Sequence, residues 1–234
     1  MKSINTLVAI LFISLLSSPS WSVTEDDLVK RKGIYYKQFT DVPFNGKVTG
    51  NPQGSFKNGK REGVWVSYHE NGQLWGKGAF KNGKRDGAWV VYHESGRFDG
   101  TVNFKNGKKD GIWFLYHDNG ALSSKGNYKN GKKNSVWVTH YENGQLRTKG
   151  KHKNGSRNGG WVTYYENGQL NFKGNYKIGH LDGPQATYYK NGQLKFKGNN
   201  KQNKREGVWV GYRRDGAVWA KNTGTFKDGV KISD

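Results

Sequence analysis

Apolar and polar residues alternate along most of the chain, and Asn-Gly breaks the alternation at regular intervals. Residues 63–86, GVWVSYHENGQLWGKGAFKNGKRD, show the rule. Val64, Val66 and Tyr68 interleave with Trp65, Ser67 and His69, a period of two that sends successive side chains to opposite faces of a strand. Two turn signals punctuate each unit. One comprises Asn58-Gly59, Asn82-Gly83, Asn106-Gly107, Asn130-Gly131 and Asn154-Gly155. The other comprises Asn71-Gly72, Asn119-Gly120, Asn143-Gly144, Asn167-Gly168 and Asn191-Gly192, with Ser95-Gly96 and Asp215-Gly216 as variants. Asn-Gly is the strongest two-residue hairpin signal, because a type I′ turn needs positive φ at both central residues. Segments of about ten residues between the turns suit strands and leave no room for helices. The pattern predicts an all-β fold: an elongated antiparallel meander of tandem hairpins in a single twisted sheet.

The period is 24 residues. Trp65 recurs as Trp89, Trp113, Trp137 and Trp161, gives way to Gln185, and returns as Trp209. If Asn71-Gly72 is a two-residue loop, His69 faces Leu74 and Trp65 faces Gly78. Parity then puts Trp65, Ser67, His69, Leu74, Gly76, Gly78 and Phe80 on one face, and Val64, Val66, Tyr68 and Lys77 on the other. The same register sets Trp113, Trp137 and Trp161 opposite Gly126, Gly150 and Gly174. A broad ring over a strand glycine covers backbone that is otherwise bare. The tryptophans are therefore expected to hold the array up rather than to bind. Repeats two and six depart from the rule, with Val102 in a glycine position and with Ile178-Gly179-His180 and Pro184-Gln185 in repeat six.

The ends differ from the middle. Residues 1–22 read as a secretory signal: Lys2, then an apolar run from Leu7 to Leu16, then Ser20-Trp21-Ser22 with small residues at the cleavage-determining positions. The run is short for a membrane span. The expectation is export, with cleavage near Ser22, to the periplasm or the exterior. Residues 23–54 read as an N-terminal cap with a degenerate repeat, 55–222 as seven repeats and 223–234 as a C-terminal cap, since a repeat array needs atypical ends.

Composition sharpens this picture. Hydrophobic residues are 33% of the chain, too few for a large compact core, yet aromatics are 14% and there are 34 glycines. That mixture fits thin, aromatic-clad β-structure. The formal charge is +21, which favours acidic partners. Much of it sits at repeated turns, where Lys57, Lys60, Lys81, Lys84, Lys105, Lys108, Lys129 and Lys132 form a candidate basic ladder. Lysines also keep exposed sheet edges from pairing with other chains. There is no cysteine, which removes disulfides, thiolate metal sites and cysteine nucleophiles from consideration.

No catalytic, cofactor or metal site is expected. His69, His93 and His117 recur at the repeat period and are followed by Glu70, Glu94 and Asp118. Equivalent strands lie two strands apart, about 9–10 Å, whereas zinc ligands each lie ~2 Å from a common ion. These histidines are a candidate surface slot instead. The acids Glu62, Asp86, Asp110, Asp182 and Glu206 are expected to stabilise turns.

The run G-x-W-x-x-Y-x-x-N-G-Q-L-x-x-K-G-x-Y/F-K-N-G-K, seen from Gly63, Gly111 and Gly159 onward, resembles the MORN repeat in its bacterial variant, as found in YwqK-type antitoxins. The likeness covers roughly residues 44–230. It implies a hairpin meander that binds rather than catalyses, with protein interaction, membrane-lipid contact or toxin neutralisation as roles. A looser similarity is to the aromatic repeats of choline- and glucan-binding cell-wall modules. The leading expectation is a non-enzymatic exported scaffold for a protein partner. The alternative is anionic lipid or cell-envelope polysaccharide bound by the turn lysines and aromatics; nucleic acid is disfavoured.

Overall fold

A computed structural model describes residues 22–234; the expected leader lies outside the described residues apart from Ser22. After a short 3-10 turn (Glu25–Asp27), β1 (Leu28–Arg31) and β2 (Ile34–Lys37) form a separate hairpin. β3 (Gly46–Val48) and β4 (Gln53–Lys57) open the main sheet. It continues through β5 (Lys60–Tyr68), β6 (Leu74–Lys81), β7 (Lys84–Tyr92), β8 (Phe98–Lys105), β9 (Lys108–Tyr116), β10 (Leu122–Lys129) and β11 (Lys132–His140). Then follow β12 (Leu146–Lys153), β13 (Ser156–Tyr164), β14 (Leu170–Lys177), β15 (His180–Tyr188), β16 (Leu194–Lys201), β17 (Lys204–Gly211), β18 (Gly224–Lys227) and β19 (Val230–Ser233). Each strand from β3 onward pairs antiparallel with the next, and no ladder joins β3 to β19 among the described residues. The fold is the predicted open meander.

The two turn families differ, although both carry Asn-Gly. At Asn58-Gly59, Asn82-Gly83 and their equivalents both residues have positive φ, as a type I′ turn requires. At Asn71-Gly72 only the glycine is left-handed. Gly72 N–H donates to the His69 carbonyl and His69 N–H to the Gln73 carbonyl. This is a three-residue loop, a type I turn closed by a left-handed glycine. The Asn71 side chain caps it by accepting from Gln73 N–H at 2.9 Å. The loop corrects the expected two-residue register near the tip. Tyr68, not His69, pairs with Leu74, although Trp65 still pairs with Gly78. Leu74 therefore leaves the tryptophan face and joins Val66 and Tyr68. Phe98, its counterpart in the next repeat, sits 5.7 Å from Tyr116 and 6.4 Å from Phe114, which occupies the Val66 position.

A second irregularity lies across every type I′ hairpin. Lys77 pairs with Val90 and Ala79 with Asp86, so Gly87, Ala88 and Trp89 all stand against the single residue Gly78. Such a bulge needs one left-handed residue. Gly63, Gly87, Gly111, Gly159, Gly183 and Gly207 provide it, with Ser135 as the exception at φ 67°. The bulge swings each indole over the glycine on the preceding strand. Trp65 covers Gly54, Trp89 covers Gly78, Trp137 covers Gly126, Trp161 covers Gly150 and Trp209 covers Gly198; a Cβ at any of these glycines would overlap the ring. The expected seating of Trp65 on Gly78 is thus displaced by one hairpin. The indole N–H then donates to a carbonyl ten residues back, as from Trp89 to Ala79 at 3.1 Å and Trp161 to Lys151 at 3.1 Å.

Both ends of the main sheet bury apolar side chains. Leu28, Phe44, Val48 and Phe56 bury against Trp65 and Trp89. Glu25 clamps Arg61 with both carboxylate oxygens at 2.5 Å. At the other end Phe226 is buried beside Arg205, which lies 5.0 Å from its ring.

Candidate binding surfaces

The tryptophan face is filled by its own side chains. Rings alternate along the sheet edge to face: Phe56–Trp65 at 5.1 Å, Phe80–Trp89 at 5.3 Å, Tyr128–Trp137 at 5.1 Å and His152–Trp161 at 5.1 Å. Edge-to-face contact suits the ring quadrupole. A column of cations caps the rings: Arg61 4.3 Å over Trp65, Arg85 4.4 Å over Trp89, Lys109 4.1 Å over Trp113, Lys133 4.3 Å over Trp137, Arg157 4.7 Å over Trp161 and Arg205 4.6 Å over Trp209. Each basic residue precedes its tryptophan by four, a spacing present in the sequence but not read from it. Burial lowers the pKa of Lys109 and of Lys133, and neighbouring cations lower both further. Trp65 is 1% exposed. No second layer is needed to bury it, because glycine backbone, neighbouring rings and the guanidinium surround the indole.

Repeats two and six confirm the rule by breaking it. In repeat two Val102 occupies the glycine position. Trp113 cannot settle there, and its indole donates to Ser124 Oγ at 3.3 Å instead of to a backbone carbonyl. In repeat six the cation becomes Leu181 and the tryptophan becomes Gln185. Gln185 accepts from Asn200 Nδ2 at 2.7 Å, and Asn200 stands where other repeats have a ring. The uncovered Gly174 is filled by Phe172 and Leu181. Gly174 therefore keeps its expected place opposite Trp161, but no indole covers it.

The histidines belong to the frame. Nε2 of His69 bonds the Tyr92 carbonyl at 2.9 Å, that of His93 the Tyr116 carbonyl and that of His117 the His140 carbonyl, both at 3.1 Å. In later repeats the hydroxyls of Tyr141, Tyr165 and Tyr189 make the same bond from the same position. His and Tyr interchange because each reaches one repeat onward with a donor. Glu62 and Asp110 likewise each accept from the amide of the asparagine in the next type I′ turn, Asn82 and Asn130, at 2.8 Å. Among the described residues no group of three or more His, Cys, Asp or Glu is arranged to hold a metal.

Two surfaces remain open. The first is the turn edge. Lys57 faces Lys60 across its turn, Lys81 faces Lys84, Lys105 faces Lys108 and Lys129 faces Lys132. All eight are exposed, and none is ion-paired among the described residues. The second is the face opposite the tryptophans. Val64, Ile112 and Val208 are 65%, 55% and 67% exposed there. A cross-strand row alternates apolar and basic residues: Val66, Lys77 and Val90 in one stretch, then Val138, Lys149, Val162, Lys173, Ala186, Lys197 and Val210. This row was half legible, since Val66 and Lys77 were placed together from parity alone.

A single-layer antiparallel meander of 24-residue hairpins, with one sealed face and one open, defines a repeat scaffold. The chain carries MORN repeats: the model of the MORN repeat variant matches residues 61–82, 109–130, 133–154, 157–177 and 181–201. The unmatched stretch between 82 and 109 contains Val102 and Ser95, where the pattern departs. No curated protein matches the chain.

Proposed function

We propose that the protein is a non-enzymatic repeat scaffold that binds a protein partner through the face carrying Val64, Ile112, Val136 and Val208. The observation behind this reading is the contrast between faces. Indoles, arginines and glycines fill one another on the first face, while the second presents aliphatic side chains alternating with lysines that lack acid partners among the described residues. Partner surfaces of mixed apolar and acidic character complement such a face. MORN repeats generally serve as protein- or membrane-binding scaffolds, which agrees. The leader-like sequence of residues 1–22 supports a place in the cell envelope or outside the cell. There a toxin-neutralising or immunity-like role, as the likeness to YwqK-type proteins suggests, requires a toxin acting in the envelope.

The test is affinity capture from envelope extract with the parent chain and with Val64→Asp/Val136→Asp/Val208→Asp. A partner retained by the parent and lost by the triple variant supports the reading. Equal capture by both sinks it. A second reading is favoured by the paired turn lysines: anionic lipid or polysaccharide bound along the edge. It predicts binding that falls steeply as salt rises and that vanishes on Lys81→Glu/Lys84→Glu/Lys105→Glu/Lys108→Glu.

A further inference from the structure

The open face is not uniform. Over repeats five to seven it deepens into a groove of about 920 Å³, within the roughly 300–1,000 Å³ typical of ligand pockets. The cause is local sequence. Where Ala186 forms the floor, the equivalent residues are Val66, Val90, Phe114, Val138, Val162 and Val210. Beside it Pro184 takes a position held by Ile112 or Val136 in earlier repeats. Ala186 lies buried at the base of the groove, with Val162 and Val210 among the residues that line it. Tyr188 and Leu194, paired across the hairpin, close one end.

Charge selects the occupant. Lys173 and Lys197 flank Ala186 directly, one on each neighbouring strand, so they stand about 9.6 Å apart, twice the strand spacing. No carboxylate lines the groove, and neither lysine is ion-paired among the described residues. An apolar trough between two free ammonium groups complements a molecule with an apolar body and a single anionic group.

We propose that this groove is a discrete site for a single-chain amphipathic anion, an aliphatic carboxylate being the simplest, with its chain over Ala186 and Pro184 and its head between Lys173 and Lys197. The site is confined to repeats five to seven, where it shares Val208 with the proposed partner-binding face.

Calorimetric titration of the full chain with dodecanoate, kept below its critical micelle concentration, tests it. The expected result is one saturable site per chain, with dodecanol bound at least tenfold more weakly. Ala186→Phe, which fills the floor, weakens dodecanoate at least tenfold, and so does Lys173→Gln/Lys197→Gln. Val66→Phe, the same change in repeat one, leaves binding unchanged. The lysine substitutions lie at exposed positions, so the test survives if Ala186→Phe fails to fold. Dodecanoate binding unaffected by the lysine pair, or weakened equally by Val66→Phe, overturns the proposal. A parallel arm uses phosphatidylglycerol vesicles: vesicle binding that depends on Lys173 and Lys197 without binding of monomeric dodecanoate overturns it in favour of a membrane surface.

Discussion

Gly150→Val probes the seating of the tryptophans. A Cβ at Gly150 overlaps the Trp161 ring, and the ring cannot yield without leaving its place between His152 and Tyr176. Trp161 is 6% exposed. Exposing about 50 Å² of it costs ~1.3 kcal/mol at ~25 cal/mol per Å². Losing the indole hydrogen bond to Lys151 costs a further ~1 kcal/mol. The greater strand preference of valine over glycine returns roughly 0.5–1 kcal/mol. The net destabilisation is about 1–2 kcal/mol, or roughly 2–8 °C at about 2–4 °C per kcal/mol for a chain of this size. Chemical denaturation gives the energy, and the indole N–H resonance of Trp161 in a proton–nitrogen correlation spectrum gives the displacement. Val102 supplies the reverse experiment within the same chain: Val102→Gly should move the Trp113 indole resonance towards those of Trp89 and Trp137. A Gly150→Val protein as stable as the parent, with the Trp161 resonance unmoved, refutes the reasoning.

Three further outcomes follow from the same architecture. Burial lowers the pKa of His152 from its usual 6.5, with the nearby cations Lys133 and Arg157 acting in the same direction and the Gly155 carbonyl opposing. The unfolded chain then binds more protons than the folded one, so this contribution is complete above pH 6.5 and fades as pH falls below it; His152→Tyr should flatten that part of a melting-temperature profile between pH 7.5 and 5. Ile178 is exposed and held at φ 49°, a conformation costing a residue with a Cβ ~1–2 kcal/mol, and Ile178→Asn should raise stability by about 0.5–1 kcal/mol in urea denaturation. His69→Ala should cost ~1 kcal/mol through the lost bond to Tyr92, whereas His69→Tyr should be close to neutral, because Tyr141 makes that bond in its own repeat; equal losses in the two variants count against a stabilising role for this bond.

The meander was legible because its determinants are local. Asn-Gly at fixed spacing, period-two alternation and the Trp65–Gly78 register all lie within one hairpin. What escaped involves irregular backbone. The loop at Glu70-Asn71-Gly72 has the same two letters as the type I′ turns, and only the backbone tells them apart, so Leu74 was placed on the wrong face. The bulge that throws Trp89 onto Gly78 had a visible signal: a glycine two residues before every repeat tryptophan except Trp137, in a strand interior where glycine often marks a bulge. The basic residue four before each tryptophan was visible too, but its role depends on that bulge. The groove at Ala186 could be suspected only as a break in repeat six, since its depth depends on five strands at once.

The central claim is that the tryptophan face is structural and the opposite face binds. Site-specific photo-crosslinking in envelope extract tests it most directly, with the photoreactive residue placed in turn at Val136 on the open face and at Lys108 on the turn edge. The account predicts a discrete protein adduct from position 136 and none of comparable yield from position 108. Adducts from position 108 alone would contradict it and move the binding surface to the lysine edge.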